Sequence, residues 1–453
     1  MSAAGMTGEL LRAGDPGYDA ARHVWNAMID SRPAVVARCR QTDDVVAALA
    51  MARDEGLEVA VRCGGHSVSG LSSTDGGMMI DLRPMNRVVV DPDRRRARVQ
   101  GGALLGEMDR ATHAMGLATT GGMVHHTGVG GLTLGGGYGW LARLHGLACD
   151  NLVSVELVTA SGDVVRASPY ENDDLFWGVR GGGGNFGIVT EFEFRLHPVT
   201  PVLSGQFRYG TEDGPGVLRA YRELMASAPP KLCGLVGLST GRGAGRLSDE
   251  PGGHDVSVWY TYAGADLEEA EQLWAPLRLA ARPIAEQVEV LSYPELQSAT
   301  GEASGPGRRH YWKGSFMWEL SDAFLDALLE RGRRLRGGCG IELFSLGGTI
   351  SQIGEDDTAY SSRGAAFDML PAATWDDPAE DEPNISLTRE NWEALATFAR
   401  PAVYVNDLGP DAAERLDEAY GSRKLERLVT LKARWDPDNV FHRNANIAPA
   451  PTR

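Results

Sequence analysis

Paired cysteines, long apolar runs and positive charge are all in short supply in this 453-residue chain. Its five cysteines, Cys39, Cys63, Cys149, Cys233 and Cys339, are odd in number and widely scattered. None has the spacing of a metal site or a redox motif, so they read as buried thiols of a reducing compartment, and no metal is expected. The longest wholly apolar runs, such as Val45 to Ala52, fall far short of a bilayer span. Met1 to Gly14 holds acidic Glu9 and no apolar core of signal-peptide length, which points to a cytoplasmic protein. The net charge of −17 repels nucleic acid and anionic membranes, so neither is expected as a partner. Arg331 to Arg336 is the one basic stretch that stands out, and it has helical character.

Glycine is the surplus. The chain has 57, where ordinary usage would give about 32, and they concentrate in three places. In the first, Thr42-Asp43-Asp44 opens a helical pattern that Gly56 closes, and Leu57, Val59 and Val61 alternate as a strand. The strand runs into Arg62-Cys63-Gly64-Gly65-His66-Ser67-Val68-Ser69-Gly70. Bare N–H groups on such a turn suit a phosphate, with an imidazole at the tip. The ten residues Val61 to Gly70 also describe a tight turn with a surface histidine.

The second concentration runs from Gly121 to Gly139, nine glycines in nineteen residues. That is too many for a regular helix or strand throughout, and better suits backbone laid against a large flat or phosphorylated ligand. The third, Arg180 to Gly187, contains G-x-G-x-x-G at Gly182, Gly184 and Gly187. A dinucleotide fingerprint needs a strand before it and a helix after it. Here Asp174 to Trp177 looks helical and Ile188 to Phe194 looks like a strand, so a nicotinamide site is rejected.

Strands are expected at Val59 to Arg62, Met78 to Leu82, Val88 to Asp91, Ala97 to Gly101 and Asn151 to Thr159, the last turning into Val164 to Arg166. A helix is expected from about Leu104 to Met115. Beyond Pro201, helical patterns (Val217 to Ala226, Leu267 to Ala281, Asp322 to Arg336) alternate with strand-like runs (Val256 to Tyr262, Tyr311 to Met317, Ile341 to Leu346). The pattern predicts a sheet with helices on one side and a pocket on the other. Thr374 to Pro383, acidic and twice interrupted by proline, reads as an exposed loop. Asn391 to Phe398 reads as a helix, Ala402 to Asn406 as a strand, and the tail as a helix broken at Asp436-Pro437.

Taken together, Gly64-Gly65-His66-Ser67, the Gly128 to Gly139 run, Asp150-Asn151-Leu152, Asp174 to Trp177, Gly181 to Gly187 and the terminal Trp435-Asp436-Pro437-Asp438-Asn439-Val440-Phe441 resemble the FAD-linked oxidases of the vanillyl-alcohol-oxidase superfamily. The berberine-bridge-enzyme-like and 6-hydroxy-D-nicotine-oxidase-like branch fits best. The resemblance implies an α+β fold: a PCMH-type FAD-binding domain of two α/β subdomains in residues 1–200, and an inserted substrate domain in residues 201–410 with an antiparallel sheet covered by helices. A C-terminal segment, residues 411–453, would return to the FAD domain. It also implies that His66 is joined covalently to the flavin 8α-methyl. Many relatives carry a second link through cysteine, but Val124 stands at that position, so a single bond is expected.

The FAD site implied by the resemblance comprises Arg62, Cys63, Gly64, Gly65, Ser67, Val68 and Gly70 around His66. It adds Gly122, Val124, Thr127, Gly128, Gly130, Gly131, Gly135 and Tyr138 from the second run, Gly187 and Val189 on the adenosine side, and Tyr404 and Asn406 near the flavin edge. Tyr404, two residues from Asn406 on the expected strand and so on the same face, is the leading candidate for base or positioning hydroxyl. An ordinary phenol pKa of about 10 would need a cationic or hydrogen-bonded neighbour for the former role. A packed tyrosine accounts for it equally well. Tyr138 is a further catalytic candidate, and Trp318 and Glu342 are pocket candidates. Of His125 and His126, adjacent on an extended segment, at most one should face the site.

The expected activity is hydride transfer from an alcohol, amine or related carbon centre of a small metabolite to flavin N5, with reoxidation by O2 to hydrogen peroxide. A dehydrogenase using another acceptor, and a flavoprotein that sequesters an aromatic or quinone compound for self-resistance, are the alternatives. The small Thr127 favours the oxidase. High glycine and an excess of arginine over lysine suggest a GC-rich actinobacterial source, and with it secondary metabolism such as antibiotic biosynthesis. The expected partners are the small substrate and O2, with the protein a monomer or homodimer.

Overall fold

The computed structural model describes residues 6–240, 254–264, 266–299 and 305–450. Three principal sheets organise them. In the first, Val35–Arg38, Met78–Asp81 and Val59–Arg62 are parallel neighbours in that order, with Glu9–Leu11 antiparallel at one edge. The helix Thr42–Asp54 provides the crossover between parallel strands, burying Val45, Ala48, Leu49 and Ala52. The second sheet is antiparallel, in the order Val88–Asp91, Arg96–Gln100, Ile188–Arg195, Leu152–Val158, Val164–Ala167.

The third sheet has eight strands, all antiparallel. Its order is Ala285–Leu291, Val202–Gly210, His254–Tyr262, Leu232–Thr240, Cys339–Ser345, Phe367–Trp375, Arg309–Trp312, and Ser315–Met317 also pairs with Phe367–Trp375. Side chains alternate between its two faces. One set, including Val236, Val258, Tyr260, Ile341, Leu343 and Met369, packs with residues of the helices Gly214–Ser227, Leu267–Ala280, Asp322–Gly332 and Asp381–Ala396. The other set, with Cys233, Leu235, Trp259 and Phe344, packs against Trp140, Leu141 and Tyr404. That second face adjoins the glycine-rich half of the chain.

Several sequence expectations need correction. Thr374 to Pro383 is not a loop: the strand Phe367–Trp375 ends in it, a helical turn at Pro378–Glu380 follows, and Asp381–Ala396 is a helix that includes most of the segment expected from Asn391. Prolines near a helix start are tolerated because the first N–H groups lack partners anyway. Tyr311 to Met317 is two short strands interrupted at Lys313-Gly314. Ala402 to Asn406 is no strand; Val405–Asp407 forms a single helical turn. The helix expected to Arg336 stops at Gly332. A short helix, Val129–Leu134, sits inside the second glycine run. The strands Val35–Arg38, Val202–Gly210, Leu232–Thr240, Ala285–Leu291 and Phe367–Trp375 were not anticipated.

The tail returns to the core of the five-stranded sheet, where Leu428, Leu431 and Ile447 pack among Phe186, Phe192 and Phe194. Its Asp-Pro break has a physical cause. Lys432 Nζ and Asp436 Oδ2 form a fully buried pair at 2.7 Å. Lys432 also donates to the carbonyls of Asn185 and Phe441, and Asp436 accepts the N–H groups of Val440 and Phe441. Removing one partner of a buried, bonded ion pair typically costs about 3–5 kcal/mol. Asp436→Asn is therefore expected to lower stability by about that much, read as an earlier chemical-denaturation midpoint; an unchanged midpoint would show that the pair is not needed.

Candidate flavin and substrate site

The strand Val59–Arg62 delivers the chain into the turn that carries His66. A Cβ on Gly64 would lie 2.3 Å from the amide nitrogen of Gly128, and one on Gly128 would lie 2.5 Å from Cys63 Sγ. The first two glycine stretches therefore meet backbone on backbone, and only glycine permits that approach. The Cys63 thiol sits 3.4 Å from the Ala103 carbonyl, and burial pushes its pKa up to about 11, so it is an inert packing group. Arg62 is turned away, donating to the Ala21 carbonyl.

His66 Nε2 lies 2.7 Å from His126 Nδ1. The His66 ring stacks on Trp25 at 4.6 Å, and Trp25 stacks on His310 at 3.7 Å. Burial, reinforced by the neighbouring His126 and His310, pushes the His66 pKa down to about 3. The imidazole is thus neutral at physiological pH, the form that can act as a nucleophile. His126, not His125, meets His66; the His125 carbonyl accepts the Gly106 N–H, and its buried Nδ1 has no hydrogen-bond partner among the described residues.

Around the turn, Ser67 Oγ accepts the Leu71 N–H and the Val68 carbonyl accepts Asn26 Nδ2. Ser69 Oγ reaches the Leu408 carbonyl at 3.2 Å, joining the turn to the Tyr404 segment. In the second run, the carbonyls of Val124 and Thr127 accept the N–H groups of Thr127 and Leu105. Gly122 packs close to Leu132, Gly130 close to the Gly101 carbonyl, and Gly135 close to the Asn406 side chain, while Gly131 faces open space. Gly187 and Val189 lie farther along, beside Leu157 on the five-stranded sheet.

The chain therefore fits FAD on its own observations. Ser72, Ser73 and Thr133, all within or beside the two glycine runs, bury hydroxyls that have no partner among the described residues, and buried polar groups are rarely left so. A ligand bearing phosphates and hydroxyls would satisfy them, and the neutral His66 would supply the tether.

A second cluster stands on the other side of this region. The Tyr404 hydroxyl accepts the Gly137 N–H at 2.9 Å and Asn406 Nδ2 at 2.6 Å; Asn406 also donates to the Leu132 carbonyl. Burial raises the Tyr404 pKa, although these two bonds oppose it, so the phenol is neutral. The ring of Tyr138 lies 4.9 Å from both Tyr404 and Phe344, and its hydroxyl donates to Asp368 Oδ2. Asp368 and Asp407 are both buried, and burial with mutual repulsion raises the Asp407 pKa well above the usual range. Burial raises Asp368 as well. Asp368 Oδ1 and Asp407 Oδ2 receive no N–H or O–H donor among the described residues. Buried side by side, the two carboxyls disfavour carrying two negative charges at once.

Sequence reasoning missed Trp25, His310, Asp368 and Asp407. Asp407 adjoins Asn406 in sequence, which was the available signal. Asp368 lay on an unrecognised strand carrying Pro371. Trp318 lies elsewhere, in a cavity of about 350 Å³ lined also by Glu355, Asp417 and Tyr420.

The FAD binding domain family matches residues 33–168, and the berberine and berberine-like family matches residues 403–448. The (R)-6-hydroxynicotine oxidase of Paenarthrobacter nicotinovorans is 31% identical over 98% of this chain and 97% of its own length. The structure of 6-hydroxy-D-nicotine oxidase from Arthrobacter nicotinovorans superposes with a TM-score of 0.89 at 29% identity, covering 98% of each chain. Aclacinomycin oxidoreductase superposes with a TM-score of 0.85 at 26% identity, over 98% of this chain and all of that one. Among the described residues, no helix is long and apolar enough to cross a membrane.

The buried imidazoles give a pH signature. His310 and His145 are each pushed down to about 4, and His197 is lowered as well, burial being the main cause for all three. Neutral forms favoured by folding stabilise the protein fully above the unfolded pKa of about 6.5, and that stability is lost as pH falls toward the folded values. The thermal midpoint should therefore drop already between about pH 6.5 and 5, before most carboxylates titrate. A flat midpoint across that window would show that these rings are not held neutral.

Proposed function

The chain belongs to the FAD-linked oxidoreductases of the berberine-bridge-enzyme-like branch, and on that premise we propose an oxidase carrying FAD on a single covalent bond from His66. Its substrate is an alcohol, amine or related carbon centre of a small secondary metabolite, and O2 is reduced to hydrogen peroxide. The observation that carries the reading is the neutral imidazole presented beside two interlocked glycine turns. In this reading residues 1–200 and 411–453 hold the cofactor, residues 201–410 shape the substrate site, and the protein works in the cytoplasm as a monomer or homodimer.

FAD supplies, when bound, the acceptor for the hydride and the electron donor for O2. The chain's own part is to bind, orient and move protons. Backbone N–H groups of residues 64–70 and 128–131 hold the phosphates and ribityl chain, with the Ser72, Ser73 and Thr133 hydroxyls as further donors. Val124 offers no thiol, so His66 is the sole tether. Tyr404 accepts two hydrogen bonds and keeps its own proton free to donate, which suits a positioning hydroxyl more than a base. Proton acceptance falls to Asp368 and Asp407, reached through Tyr138. The similarity to aclacinomycin oxidoreductase supports a secondary-metabolite substrate.

Acid precipitation of the purified protein tests the tether. The yellow colour is expected to stay with the polypeptide and its mass to map to the peptide of His66, while His66→Ala should release it. Colour free in the wild-type supernatant would remove the covalent assignment, and a colourless native protein would remove the flavoenzyme reading. Asp368→Asn, isosteric and unable to accept the proton, is expected to lower kcat by roughly 10²–10⁴ with flavin content unchanged. A kcat within a few-fold of wild type would move the base elsewhere.

A further inference from the structure

We propose that Glu342 binds a protonated nitrogen of the substrate, so that the molecule oxidised here carries a basic amine. The inference rests on the oxidase reading above and narrows its substrate class.

The argument starts from strand register. On Cys339–Ser345, Ile341 and Leu343 point into the helix-covered core, so Glu342 and Phe344 point the other way. Phe344 packs on Tyr138 at 4.9 Å, which fixes that face as the one looking at the proton-accepting cluster. Glu342 stands two residues away on the same strand, about 7 Å along it. Across the sheet, Phe344 pairs with Asp368 and Glu342 with Leu370. The carboxylate is thus one row out from Tyr138 and Asp368, a distance a small ring system can span.

Its surroundings leave room for a ligand. On the other side Glu342 pairs with Gly237, which pairs with Ser257. A Cβ at Gly237 would make an ordinary contact with Glu342 Cγ at 3.8 Å, so glycine leaves this flank of the carboxylate without a side chain. The next row outward holds Ser239, Gly340 and Ala372. On that side of Glu342 the register therefore places only small side chains.

That group has no hydrogen-bond or ion-pair partner among the described residues, and burial alone raises its pKa, to about 7. Other charged groups on this face have partners of their own. Arg208 lies 3.4 Å from Asp255, and Asp368 is tied to Tyr138 and Asp407. A part-buried carboxyl without a partner is unfavourable in the folded chain, whereas a bound ammonium ion would supply the missing charge and donor. A neutral polyol would supply only weaker bonds and leave the charge uncompensated.

The experiment uses the flavin-loaded protein and Glu342→Gln. The probes are N-methylbenzylamine and its naphthylmethyl homologue, each paired with the uncharged methyl ether of the same shape. Binding is read from perturbation of the flavin spectrum and turnover from anaerobic bleaching. The amines should bind at least ten-fold more tightly than the ethers. Glu342→Gln should raise their Kd and KM 10- to 1,000-fold, leave kcat within a few-fold, and leave ether binding unchanged. Amine affinity in the wild type should rise as pH increases through about 7, as the carboxyl ionises, and the variant should lose that rise. Equal amine affinity in the two proteins, or ethers binding as well as amines, overturns the proposal. Failure of the oxidase reading shows itself separately as colourless protein, and calorimetry with the same probes then decides Glu342 on its own.

Discussion

Because Gly64 and Gly128 touch through backbone atoms alone, the first two glycine-rich stretches are fixed to each other before any side chain is considered. A Cβ at either position would lie 2.3 Å from the other's amide nitrogen and force them apart. The contact holds the four-stranded sheet, which delivers His66, against the run that carries His126 and Tyr138. The imidazole then lies in a pocket of rings where a proton is disfavoured. Removal from water, more than any one hydrogen bond, keeps this histidine neutral.

From that seam the chain runs directly to the third sheet. Gly137 donates to Tyr404, Tyr138 donates to Asp368, and Trp140 packs on Trp259. Three residues of one loop thus meet groups from the sheet and from the segment near residue 404. Because strand side chains alternate, the sheet can bury Val236, Val258 and Leu343 against its helices and present Phe344, Asp368 and Glu342 to this loop. One pleat serves both stability and chemistry. The division also accounts for where buried polar groups collect, since the helix-covered face is almost wholly apolar.

What the sequence revealed and what it concealed follow from the range of the forces involved. Glycine clusters are legible because close backbone approach demands glycine whatever surrounds it, and the strand before His66 is a local pattern of three alternating residues. Resemblance carried His66 and the absence of a thiol at Val124. The carboxylates were concealed for the opposite reason. Asp368 is a strand residue that would face water in most sheets, and only the loop from Gly137 to Leu141, more than 200 positions earlier in the chain, turns its face into an interior. Likewise Trp25 and His310 become neighbours only through tertiary contact. Pro371 hid the strand of Asp368, since proline inside a strand ordinarily argues against one.

Two buried acidic centres show how the same residue type is put to different uses. Asp436 has a lysine at 2.7 Å and two backbone N–H donors, and Lys432 fills its remaining capacity with carbonyls. Every group there is satisfied within the chain, which leaves nothing for a ligand to add and locks the tail to the five-stranded sheet. Asp368 and Asp407 have instead each other, one tyrosine and oxygens left without donors. An arrangement that unfavourable in a folded chain persists only where the surrounding structure imposes it, and here it is imposed beside the loop that also holds Tyr404. The contrast separates structural from chemical acids by satisfaction alone. By that criterion the carboxyl pair is the one available to a ligand, and the Lys432–Asp436 pair belongs to the architecture that holds the tail to the five-stranded sheet.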